Sequence, residues 1–191
     1  MRKLHLAGFL FVLLAAILVN QARRGPLTLH PGAVTAIVYS GTAGAWFQAM
    51  KPYCNPVEVG TRHRWNPPPE GMEGSAYSAA CYALAGNVDH ARELILELDG
   101  DDQWRAAGIV FNVAHPVADA GDDRSAGPIM EMVVEFWPNH HMALYHAGMS
   151  AYVLGRRDDA RDYLEQFLQF YSRDDGWVSN ANTVLDEIGR S

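Results

Sequence analysis

Apolar residues follow three different rhythms along this 191-residue chain. From Leu4 to Val19 they are almost continuous, broken by His5. From Gly25 to Met50 they alternate with Pro26, Pro31, Gly32, Gly41 and Gly44, and no charged side chain occurs. Beyond Pro67-Pro68-Pro69 they recur every three to four residues in stretches about a dozen long, which is the helical period. The first rhythm predicts a hydrophobic helix. The second predicts short pieces, 33–39 and a helix over 42–51 bearing Trp46 and Phe47, because proline and glycine forbid one long helix. The third predicts an all-α array. The chain thus divides into 1–24, a membrane anchor or signal peptide; 25–71, an apolar linker or interface segment; and 72–191, a helical domain.

Arg2 and Lys3 ahead of the first run are the basic head of a secretory signal or an uncleaved anchor. A spanning helix needs ~20 mostly apolar residues, which 4–22 supplies only by including His5, Asn20 and Gln21. Asn20 fits poorly where a peptidase wants small residues, so the expectation is an uncleaved anchor in lipid through residues 4–22. Arg2, Lys3 and the α-amino group against Arg23 and Arg24 favour an inside N-terminus. The expected location is therefore a bacterial-type inner membrane with the body on the periplasmic side.

Gly86, Gly121 and Gly155 punctuate the helical domain 35 and 34 residues apart. Trp104-x2-Ala107-Gly108-x2-Phe111 is followed by Ala126-x3-Met130 and Pro138. Leu144-x2-Ala147-Gly148-x2-Ala151 is followed by Ala160-x3-Leu164, and Ser75-x2-Ser78-Ala79-x2-Tyr82 by Ala91-x3-Ile95. Period and motif resemble the tetratricopeptide repeat family. That resemblance covers about 75–188 and implies three antiparallel helical hairpins, with Trp177–Ile188 as the polar-faced cap that stacked repeats need. The middle copy carries extra residues around 115–120, read as an insertion between its helices.

Charge changes the picture of partners. Residues 1–50 carry +4, and 51–191 carry all 22 acids and a net −11. A domain this acidic is no phosphate-backbone binder. Two cysteines exclude a disulfide-dense miniprotein and a four-cysteine zinc site. Cys54 and Cys81 have no redox or haem spacing. They form either a disulfide closing a loop of about 27 residues, worth ~3 kcal/mol, or two buried thiols.

Candidate chemistry is sparse. The Asp-rich turns at 99–102, 119–123 and 174–176 lack the ligand spacing of a calcium loop and read as turns and caps. His140, His141 and His146 cluster in sequence without the i, i+4 pairing of zinc helices and without an acid on the same face, so no metal is expected. Neither a nucleophile elbow nor a phosphate loop occurs, so neither catalysis nor a cofactor is expected. On the third hairpin Met142, Tyr145, Met149 and Tyr152 share one helical stripe, and the second hairpin adds Arg105, Ile109 and Asn112. The family resemblance implies that these seven residues line a partner-binding groove; the alternative is that the capping helix or the N-terminal segment itself fills it. The expected function is a non-catalytic, membrane-tethered scaffold, an accessory subunit or assembly factor of a larger membrane complex, respiratory or photosynthetic for example. The alternative is a soluble periplasmic peptide-binding or chaperone-like module.

Overall fold

The computed structural model describes residues 41–190. The expected anchor and the 33–39 piece lie outside the described residues. Among the described residues the chain is all-helical, without strands. No described helix is long and apolar enough to cross a membrane.

Two short helices come first, α1 (Ala43–Met50) and α2 (Val59–Trp65). Three pairs follow: α3 (Met72–Leu84) with α4 (Val88–Leu96), α5 (Gly100–Asp119) with α6 (Asp123–Phe136), and α7 (His141–Val153) with α8 (Arg157–Phe170). A last helix, α9 (Gly176–Gly189), packs on α7 and α8.

Each pair turns by the same device. Gly86, Gly121 and Gly155 adopt φ of +79°, +85° and +78°, a conformation open to glycine at little cost. The next residue then donates back into the helix just ended: Asn87 N–H to Tyr82, Asp122 N–H to Val117, Arg156 N–H to Ala151. This glycine-centred stop satisfies carbonyls that a helix end leaves free. In two copies the donating residue also caps the next helix. The Asn87 side chain accepts from His90 N–H and the Asp122 side chain from Ser125 N–H.

Small residues set how closely the helices approach. Ala79, Ala107 and Ala147 are fully buried. A Cβ on Gly148 would lie 2.7 Å from Leu164 Cγ, and one on Gly127 would overlap the Ser150 hydroxyl. Gly108, whose motif position suggests the same role, is different. A Cβ there would meet only the Trp137 ring at 3.4 Å, an ordinary contact.

Two boundaries differ from the sequence reading. Within 25–71, residues 43–66 are a packed part of the helical body. Trp46, Phe47 and Met50 are buried, each worth roughly 2–3 kcal/mol in transfer terms. The Trp46 indole donates to the Asn66 carbonyl at 3.0 Å, Phe47 stacks on Tyr77, and a Cys54–Cys81 disulfide joins this part to α3. The residues at 115–120 are likewise no loop insertion. They extend α5 to 20 residues, with Pro116 tolerated in its last turns.

Candidate functional site

The added length of α5 determines what it can reach. Arg105, Ile109 and Asn112 occupy one stripe of this helix, and a further turn along it come His115 and then Asp119. Arg105 is exposed, with its guanidinium 3.5 Å from Asp102. Ile109 is half-buried against the core, and Asn112 is exposed. Pro116 has no N–H to offer the Asn112 carbonyl four residues back.

The other four expected groove residues are placed differently. Tyr145 is 4% exposed, its hydroxyl accepting from Asn180 of α9 and its ring lying edge-on to Trp177. Met149 meets Asn180 as well, and the Tyr152 hydroxyl donates to Glu187. Met142 is half-buried on a cleft shared with His115 and Trp177. Thus α9 covers the α7 stripe, the alternative to an open groove, because Trp177 and Asn180 offer that stripe both apolar area and a hydrogen bond. Of the seven residues, Arg105 and Asn112 are open.

Beneath Trp177 lies a cluster that the sequence reading passed over. The His115 Nε2 atom is 3.3 Å from Asp119 Oδ1, one helical turn on. The His146 Nε2 atom, from α7, is 3.5 Å from the same oxygen. His146 Nδ1 faces Asp123, the first residue of α6, at 3.9 Å. Phe111 stacks on His115 with ring centres 4.6 Å apart, and Trp177 stands edge-on to His146. A cavity of about 130 Å³ opens between Asp119, Asp123, His146, Trp177 and Asn180.

The electrostatics are unusual for helix packing. The His146 side chain is 3% exposed. Neither of its ring nitrogens, nor His115 Nε2, finds a hydrogen-bond partner among the described residues. A buried polar atom left so costs ~1–3 kcal/mol. Burial, with a smaller effect of nearby His115, pushes the His146 pKa down to about 4, so its ring is neutral at neutral pH. Burial raises the Asp123 carboxyl above its ordinary range, with Asp122 adding to this.

The three histidines that cluster in sequence separate in space by role. The His140 Nδ1 atom accepts from Ala143 N–H and so caps α7. His141 lies against Tyr171. His146 turns towards α5. The acid judged absent from its neighbourhood arrives from α5 and α6. The readable trace of this cluster was the His115-x3-Asp119 pair, the i, i+4 spacing that puts two donors on one helix face. Read as a loop insertion, that pair had no face.

The chain matches no protein-family model, no curated protein and no solved structure.

Proposed function

We propose that this chain is a membrane-tethered interaction scaffold, an accessory subunit or assembly factor that works by protein contact on a stacked-hairpin body of tetratricopeptide type. The observation that carries this reading is the hairpin built three times on one plan, the same glycine stop returning at 34–35 residues. Such stacks offer an extended face for a partner segment. The open part of that face is on α5, where Arg105 and Asn112 are exposed beside half-buried Ile109. The equivalent α3 positions, Ala76, Ala80 and Ala83, are buried, and α9 covers those of α7. A partner therefore engages the middle of the array, through an apolar residue flanked by hydrogen-bonding groups.

The disulfide supports placement outside the cytoplasm, since such bonds persist in oxidising compartments. The basic, apolar 1–24 segment supports attachment to the inner membrane. The proposal is tested by photo-crosslinking from position 112 in native membranes, with position 158 on α8 as the control. Asp158 has a side chain that is 96% exposed, and a crosslink there as strong as at 112 argues against a face on α5.

A further inference from the structure

We propose that His115, Asp119 and His146 form a binding site for a divalent transition-metal ion, with zinc the best fit. The donor set is two imidazole nitrogens and one carboxylate oxygen, drawn from α5 and α7, and the three atoms lie within 4.8 Å of one another. Around a tetrahedral ion with bonds of ~2.0–2.1 Å, neighbouring ligand atoms sit about 3.3–3.4 Å apart. The two distances to Asp119 Oδ1 are 3.3 and 3.5 Å. Two edges of the site already have this length, and the imidazole–imidazole edge, within 4.8 Å, would have to shorten for the site to close on an ion.

Burial provides an independent argument. The His146 ring is almost wholly enclosed, and its Nε2 and that of His115 point into the cluster without hydrogen-bond partners among the described residues. A metal ion held among them would satisfy these nitrogens.

The surroundings fit the assignment. Asp123 lies 3.9 Å from the far nitrogen of His146, beyond hydrogen-bond length, and would have to move closer to fix the tautomer and orientation of a metal-bound ring. Phe111 and Trp177 pack on the two imidazoles. Calcium and magnesium prefer all-oxygen shells. Copper(I) and iron–sulfur clusters want thiolates, and both cysteines are in the disulfide. Three protein donors leave a fourth position for water or another ligand. An ion here joins the second hairpin to the third through side chains alone, making the α5–α7 junction metal-dependent.

The test uses the untagged, oxidised full chain in detergent, stripped with a chelator and titrated with Co²⁺ and then Zn²⁺. The expected result is one Co²⁺ per chain with the strong visible absorption of a four-coordinate ion, displaced by Zn²⁺, and a Zn²⁺-dependent rise in Tm. His115→Gln and Asp119→Asn, at the less buried positions, are expected to weaken binding at least tenfold while the metal-free helical spectrum is unchanged. His146→Gln is expected to do the same, and His90→Gln, distant in the fold, to leave binding intact. Absence of a stoichiometric site in the folded wild-type chain overturns the proposal. So does binding that survives undiminished in His115→Gln and Asp119→Asn.

Discussion

At Gly148 a methyl group would press on Leu164, and at Gly127 on Ser150, while at Gly108 it would rest against the flat of Trp137. Gly108 and Gly148 occupy equivalent positions on the first helices of their hairpins and Gly127 lies on a second helix, and the tolerance of the three should differ. Gly127→Ala and Gly148→Ala are expected to cost roughly 1–3 kcal/mol through overpacking. Gly108→Ala is expected to be neutral or to gain up to ~1 kcal/mol from helix propensity. Urea unfolding of the three variants measures this, and equal losses at all three would contradict the geometry. A repeat motif names where small residues belong. It does not say which one a neighbouring chain reaches, because that depends on rotations that only the folded helices define.

His140 makes stability depend on pH. Its Nδ1 accepts a hydrogen bond at the start of α7, a role open only to the neutral ring. Burial, followed by the smaller effects of His141 and His115, lowers its pKa from 6.5 to about 4. The unfolded chain thus binds this proton more readily than the folded one. The His140 contribution is complete above pH 6.5 and is lost as pH falls towards about 4. His140→Asn keeps a capping side chain that does not titrate, so the fall in Tm over that interval should be shallower for the variant. Parallel Tm–pH curves would refute this role.

Helices and their ends were largely legible from the sequence, and the reason is local. A glycine at φ near +80° followed by a capping Asn or Asp is a stop and a start within two residues. The α1 helix was legible, over 42–51, but its burial was not, and neither was the end of α5. The α1 residues Trp46, Phe47 and Met50 are apolar in a stretch without charge, so the pattern suits a membrane interface as well as a core. What decides is the partner surface on α3, supplied 30 residues later by Tyr77 and Cys81. The end of α5 was hidden because 115–120 reads as an insertion between helices; Pro116 leaves the Asn112 carbonyl without its intrahelical donor, yet the helix runs on to Asp119. With α5 cut short, His115 and Asp119 had no common face and the cluster with His146 was invisible.

The disulfide acts at this same scale. It closes 27 residues between α1 and α3, and in the chain-entropy model such a loop is worth ~3 kcal/mol. Cys54→Ser combined with Cys81→Ser is expected to lose about that much. Faster amide exchange should be confined to α1 and α2, with α7 and α8 protected as before. Uniform loss of protection across the body would mean that the bond supports the whole stack.

In the whole molecule, a basic, apolar N-terminal stretch of sequence precedes an acidic body stapled by a disulfide, and one helix of that body keeps part of its stripe open. These features support the proposal of a chain held at a membrane surface and engaged from the side of α5. The direct measurement is to place a photo-reactive residue at position 112, irradiate native membranes, extract them in mild detergent and weigh the intact products. The expected result is an uncleaved chain within a stoichiometric membrane complex, crosslinked to one partner from 112 and not from 158. A processed chain, alone in the soluble fraction and without an adduct at 112, would contradict the scaffold.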